Sequence, residues 1–302
     1  MASVKKSEKL CTASETKARL PITQPAINLI LIKAILMNMP VQTFTRMLFS
    51  RARCCVFIRC WQNKLGLFRP GPLWYAVPMK TALFDLDGTL IDSRLDIVHG
   101  INLTREDFNL PALPVAQVAE HIGEGVNFLI RGAIPEFAQT HMELLRARQR
   151  LNYLNHSLDT TRLYPGMEQT LRKLKAAGWR LGVVTNKSAP CVMPLLKGLG
   201  VADCFDAIVG GEEIPQLKPD PAPLRLAAAR MGVTLDASDW MIGDHFTDME
   251  AGRNAGIQTC FCRFGFGQLR TSRYTLAVDT VEQIASALLM SSTHPGDHES
   301  RA

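Results

Sequence analysis

The stretch Thr81-Ala-Leu-Phe-Asp85-Leu-Asp87-Gly88-Thr89-Leu-Ile-Asp-Ser93 decides the fold. Its first four residues form an apolar run of strand length that stops at Asp85. A second carboxylate, a glycine and a hydroxyl follow within four positions. An apolar strand that ends this way predicts a buried central strand with polar chemistry at its carboxyl end.

Downstream, strands and helices alternate. Arg180-Leu-Gly-Val-Val184, Ala207-Ile-Val209, Trp240-Met-Ile242 and the run from Gln258 to Cys262 read as further strands. Pro165-Gly166 opens an amphipathic helix with Leu171 and Leu174, and Gly178 closes it. Helices are also predicted from about 189 to 199, from Pro221 to Met231 and from about 280 to 289. Strands separated by helices of this length predict an α/β fold, a Rossmann-like doubly wound parallel sheet. Residues from about 93 to 158 carry helical patterns alone, around Ile97, around Leu129 and from His141 to Asn155. They predict a small inserted helical cap domain. The expected organisation is a core of 79–93 and 161–290, a cap at 94–160, and a flexible tail at 291–302.

Upstream of the first strand the chain changes character. Residues 1–78 carry twelve Lys or Arg against Glu8 and Glu15, so the basic excess lies there, while the rest is net acidic. The net charge of +6 therefore does not point to a nucleic-acid partner. The apolar run Ala26 to Met37 is broken by Lys33 and is too short to cross a membrane. Residues 1–78 read as an extension, disordered or not part of the functional enzyme, with an Arg-rich targeting segment and a membrane-surface helix as the alternatives. Eight cysteines include no CxxC pair, which suits free thiols in a reducing, cytoplasmic setting.

In an open parallel sheet, ligands bind beyond the carboxyl ends of the strands. Four such ends carry functional groups here: Asp85 and Asp87 with Gly88 and Thr89; Thr185, Asn186 and Lys187; Lys218 in Leu-Lys-Pro-Asp-Pro; and Gly243, Asp244 and Asp248. Converging carboxylates repel one another unless a cation sits between them, and an oxygen-only donor set suits magnesium. Thr185, Asn186 and Lys218 supply a hydroxyl, an amide and an ammonium for phosphate oxygens. A carboxylate at Asp85 can act as nucleophile and form an aspartyl-phosphate. Asp87 can protonate the leaving alcohol and then deprotonate the attacking water. Read singly, each residue has a plainer alternative, such as a surface lysine at 218 or a helix N-cap at Asp244. The conjunction of four ends favours chemistry.

The run from Asp85 to Ser93, Thr185-Asn186, Lys218 in Lys-Pro-Asp-Pro and Gly243-Asp244-His-Phe-Thr-Asp248 resemble the four motifs of the haloacid dehalogenase superfamily. The resemblance implies a nucleophile at Asp85 and an acid/base at Asp87. It implies a metal held by Asp85, Asp244 and the carbonyl of Asp87, supported by Asp248. Asp at position 87 is the mark of that superfamily's phosphatases. The chain looks most like phosphoglycolate phosphatases, with a small phosphorylated metabolite as partner and a monomer or homodimer as the assembly. Phosphatases for a sugar phosphate, a nucleotide or pyrophosphate, a phosphomutase and a non-catalytic binding protein are the competing readings. Ile122-Gly123-Glu124-Gly125 and Arg131 resemble the cap's specificity segment. Gly123 would bring its backbone near the substrate, and Arg131 would pair with a carboxylate. Glu124 would oppose an anion unless it faced outward, and an interhelix turn is the plainer reading of the glycines. His245-Phe246 departs from the usual fourth motif.

Overall fold

The computed structural model describes residues 80–290. The expected extension at 1–78, the first residue of the expected core, Met79, and the tail at 291–302 lie outside the described residues.

The first strand, β1 (Thr81–Phe84), is buried along its whole length. Leu83 packs into one hydrophobic cluster, while Ala82 and Phe84 pack into another. This is strand alternation with both faces covered, so the sequence reads as one continuous apolar run. The other strands of the sheet are β4 (Arg180–Ser188), β5 (Ala207–Gly211), β6 (Trp240–Gly243), β7 (Gln258–Cys262) and β8 (Leu276–Val278). They stand in the order β5-β4-β1-β6-β7-β8, and every neighbouring pair is parallel. The chain builds β4 and β5 on one side of β1 and then crosses to build β6, β7 and β8 on the other. The order reverses at β1, so a crevice opens at its carboxyl end. That crevice is where Asp85 begins.

Two strands differ from expectation. β4 does not stop at Val184 but runs on to Ser188, with a register shift against β5 between those residues. β8 is a three-residue edge strand, too short to leave a periodic signal.

The helical insert hangs from a two-stranded antiparallel clasp. β2 (Ile91–Asp92) pairs with β3 (Arg162–Leu163), Ile91 opposite Leu163 and Asp92 opposite Arg162. Between them lie α1 (Arg94–Asp107), α2 (Val115–Ala119), α3 (Val126–Ala133), α4 (Pro135–Ala138) and α5 (Met142–His156). The short α2 and α4 went unread in the sequence. Asp96, in the first turn of α1, accepts hydrogen bonds from the backbone and hydroxyl of both Thr160 and Thr161, at 2.6–3.1 Å. One carboxylate thus ties the outgoing linker of the insert to the returning one. Buried Arg105 holds the far end, donating to the carbonyls of Pro111 at 2.7 Å and Ala133. One continuous hydrophobic cluster runs from Phe84 under the sheet through Ile97 to Ile130 and Leu145 in the insert.

The remaining helices cover the sheet: α6 (Met167–Ala176), α7 (Ala189–Gly198), α8 (Ala222–Met231), α9 (Phe246–Ala255) and α10 (Val281–Met290). In α6 the buried residues are Met167, Thr170, Leu171 and Leu174, the spacing of one helical face.

Candidate active site

Asp85 leaves the end of β1 with its backbone N–H bonded to the Ile242 carbonyl at 2.9 Å. Its carboxylate therefore sits over the junction of β1 and β6. Lys218 reaches the same point from the loop before α8. Its ammonium lies 2.9 Å from Asp85 Oδ1, donates to Asp248 Oδ1 at 2.6 Å and donates to the Val184 carbonyl at 2.7 Å. Asp248 and the Val184 carbonyl accept its hydrogen bonds, and Asp85 Oδ1 lies beside it as an ion-pair partner. Burial works against this charge, but Asp248 and Asp85 outweigh it and hold the Lys218 pKa above its ordinary value. The plain alternative of a surface lysine is thereby removed.

Asp244 follows β6 and is 2% exposed. Thr89 Oγ1 donates to its Oδ1 at 2.9 Å, and the backbone of Phe266 and Gly267 donates to its Oδ2 at 3.1 and 2.7 Å. It is not the helix cap that sequence allowed. His245 caps α9 instead, its Nδ1 accepting from Thr247 N–H while Asp248 Oδ2 accepts from His245 N–H at 3.0 Å. Gly88 has φ +87°, and a Cβ there would collide with the Asp244 carboxylate. A side chain at 88 would thus be excluded twice, by conformation and by space.

Asp85, Asp244 and Asp248 bring carboxylate oxygens within 4.8 Å of one another. Burial pushes Asp85 up to about 6 against the pull of Lys218, and Asp248 adds to the rise. Burial likewise raises Asp244 well above its ordinary range, with Asp85 and then Asp248 adding to it. Three carboxylates facing one ammonium form an oxygen-only set with negative charge to spare, which fits a hard divalent cation.

Asp87 stands at the mouth of this cluster. Ser93 Oγ donates to its Oδ1 at 2.5 Å. Lys187 Nζ lies 3.0 and 3.1 Å from its two oxygens. Lys187 follows Thr185-Asn186 on the unexpected extension of β4. Sequence had placed it at a strand end without giving it a role.

Asp85 and Asp87 line one cavity with Thr185, Asn186 and Lys187. Its opposite wall comes from the insert, with Ile122, Gly123, Gly125, Val126, Leu129 and Tyr153. Gly123, at φ +114°, approaches so closely that a Cβ would lie 2.9 Å from the His245 ring. This contact gives the unusual His245 a place. Burial pulls His245 down to about 4, which leaves its Nδ1 free to accept from Thr247.

Two expected substrate contacts are arranged differently. The Asn186 amide donates to the carbonyls of Gly123 at 2.9 Å and Lys218 at 3.0 Å, and its oxygen accepts from Lys218 N–H. Its side chain braces the cavity rather than offering donors to it. Arg131 is exposed and is absent from the cavity lining; it borders a separate depression with Pro135 and Met142. Successive residues on a helix turn by about 100°, so burying Leu129 and Ile130 sends Arg131 outward. Glu124 also faces away from the cavity, paired with Arg270 at 2.5 Å.

A doubly wound α/β core whose strand ends present a carboxylate cluster and a buried lysine, under a helical insert, defines a class of hydrolase. The sequence profile of the haloacid dehalogenase-like hydrolases matches residues 82–262. The plasmid phosphoglycolate phosphatase of Cupriavidus necator is 37% identical over 195 residues, 63% of this chain and 84% of that one. The phosphoglycolate phosphatase of Nitrosococcus oceani is 33% identical over 214 residues, 68% of this chain and 95% of that one. The crystal structure of a predicted phosphoglycolate phosphatase from Haemophilus somnus has a TM-score of 0.61 and 29% identity, covering 69% of this chain and 97% of that one. The chain belongs to the haloacid dehalogenase-like hydrolase family, as its motifs implied, and within it the chain is a phosphatase. Phosphatases of this family are generally metal-dependent, and Asp85, Asp244 and Asp248 form the acidic cluster that such an ion needs. No helix among the described residues is long and apolar enough to cross a membrane.

Proposed function

We propose that the chain is a magnesium-dependent phosphomonoesterase that converts 2-phosphoglycolate to glycolate and phosphate through an aspartyl-phosphate on Asp85. The observation that carries this reading is the shared cavity. Asp85 and Asp87 line it together, with Lys218 beneath Asp85 and the helical insert as its other wall. The substrate class is supported by relatives that bear this name over 84% and 95% of their length.

In the first step a carboxylate oxygen of Asp85 attacks phosphorus, and the ester bond to glycolate breaks. The leaving oxygen takes the proton of Asp87. In the second step Asp87 takes a proton from water, whose oxygen attacks the same phosphorus. The phosphorus–Asp85 bond breaks, and phosphate leaves with the carboxylate restored. Lys218 and the Thr185 hydroxyl offset the charge on the non-bridging oxygens. Magnesium, held by Asp85, Asp244 and the Asp87 carbonyl, would offset the negative charge of phosphate and nucleophile. Asp248 has both oxygens engaged, with Lys218 and with His245 N–H, and this supports a positioning role beside the metal. The insert excludes bulk water during the first step. Free buried thiols at Cys191, Cys204, Cys260 and Cys262 suit a cytoplasmic enzyme, acting as a monomer or homodimer.

A panel of phosphate esters assayed with magnesium tests the substrate. We expect kcat/KM for 2-phosphoglycolate to exceed that for sugar phosphates, nucleotides and pyrophosphate by about tenfold or more. A better sugar phosphate or nucleotide would remove the substrate assignment and leave the Asp85 chemistry standing.

A further inference from the structure

A substrate that carries a carboxylate besides its phosphate needs a second cation in the cavity, and Arg131 does not provide it. Lys218 serves the phosphate end, between Asp85 and Asp248, and does not line the cavity. Among the described residues lining the cavity, Lys187 is the one lysine or arginine. Its ammonium bonds both oxygens of Asp87 and lies 4.1 Å from the centre of the Tyr153 ring. A cation over an aromatic face gains attraction there without losing its ability to pair with an anion.

Tyr153 supplies a second group. It sits on α5, is 2% exposed, and its hydroxyl finds no acceptor in the protein. The Lys187 ammonium beside it can only donate, so the hydroxyl proton is left without an acceptor, which costs free energy and calls for an explanation. It lines the same cavity as Lys187. The hydroxyl and the ammonium are thus two donors on one wall, and the ammonium is shared with a carboxylate that belongs to the protein.

We propose that Lys187 and Tyr153 together form the receptor for the carboxylate of the substrate. This rests on the phosphoglycolate reading and names the residues that confer it. The position follows from covalent chemistry. Asp87 serves the ester oxygen, and in phosphoglycolate the carboxylate carbon lies two bonds beyond that oxygen. A cation in contact with Asp87 therefore stands where the carboxylate arrives. The incoming carboxylate takes Lys187 over from Asp87 and accepts the Tyr153 proton as a hydrogen bond. No covalent step is involved. Ile97, Ile122, Val126 and Leu129 make much of the surrounding wall apolar, beside the polar His121 and Gln149, so a charge placed there gains from these two groups. Because Lys187 comes from the sheet and Tyr153 from the insert, a substrate that engages both also fixes one against the other. Esters without the carboxylate lack this tie.

The test compares 2-phosphoglycolate with 2-hydroxyethyl phosphate, in which an alcohol replaces the carboxylate, in the full-length chain with magnesium. The readout is the ratio of their kcat/KM values. In Lys187→Met we expect that ratio to fall by about tenfold or more, the loss of a charge-assisted contact. In Tyr153→Phe, which keeps the ring, we expect a fall of about threefold to tenfold. Lys187→Arg keeps the charge and should hold more of the preference than Lys187→Met. Equal losses on both esters would reduce Lys187 to a positioning residue for Asp87 and overturn the proposal. An unchanged ratio in both variants would overturn it too. If the unaltered chain itself showed no preference for the carboxylate, the substrate reading would fall with it. A wild-type preference that survives both substitutions would sink only the receptor.

Discussion

Lys218 stands between two carboxylates, 2.9 Å from Asp85 and 2.6 Å from Asp248, with side-chain exposures of 1%, 9% and 0% respectively. A triad this dry holds together only as a unit. Removing one partner from such a buried pair strands a charge, at a cost of about 3–5 kcal/mol. Lys218→Met is therefore expected to lower unfolding stability by an amount in that range and to abolish turnover. Chemical denaturation of the variant beside the unaltered chain measures the first, and a loss below about 1 kcal/mol would contradict the arrangement.

Asp85→Asn replaces the proposed nucleophile with a nearly isosteric, poorly nucleophilic amide. Turnover should fall below the detection limit while circular dichroism and the melting transition show a folded protein. Acid quenching during turnover of a phosphate-labelled substrate should leave label on the unaltered chain and none on the variant. Turnover at a tenth of the original rate would exclude Asp85 as the nucleophile.

Chelation should remove activity and magnesium should restore it. Calcium should restore it poorly, because its larger and looser coordination misplaces the phosphorus relative to Asp85. Asp244→Asn should raise the magnesium concentration required for half-maximal rate. Full activity in the presence of a chelator would refute the metal reading.

Asp96 gives a prediction about pH. Burial alone would raise its pKa, but hydrogen bonds from Thr160 and Thr161 outweigh burial and hold it below the ordinary carboxylate value. A carboxylate depressed in the folded state stabilises the fold above its unfolded pKa of about 3.9, and that contribution disappears as pH falls through the folded value. Asp96→Asn should cost about 1.5–3 kcal/mol near neutrality, the worth of a hydrogen-bonded charge. The gap between variant and unaltered chain should close at pH values below the folded pKa. A gap that does not change with pH would mean that the charge of Asp96 plays no part in clasping the insert.

A chain that begins at Met79 should match the full-length chain in kcat/KM and in metal requirement, since every residue given a role lies after Met79. Steady-state assays of the two forms side by side check this. A truncated chain with a tenth of the activity would assign residues 1–78 a part in the enzyme.

The sequence by itself determined the architecture and the centre of the site. Apolar runs at β1, β4, β5, β6 and β7, separated by helical patterns, force a parallel sheet, because strands that point the same way need long crossovers between them. Polar residues at the ends of those runs then converge, because the ends of parallel strands lie on one edge. Asp85, Asp87, Lys218, Asp244 and Asp248 were legible for that reason. Tertiary structure alone decided the cavity wall. Whether a residue on a helix faces inward depends on how the helix is rotated against its neighbours, and a rotation of about 100° separates adjacent residues. That rotation turned Arg131 to solvent and set Tyr153 against Lys187, though the two lie on different elements and no spacing connects them. The clasp of β2 with β3 was hidden for a related reason. Two-residue strands carry no period, and their stability comes from a partner some seventy residues away.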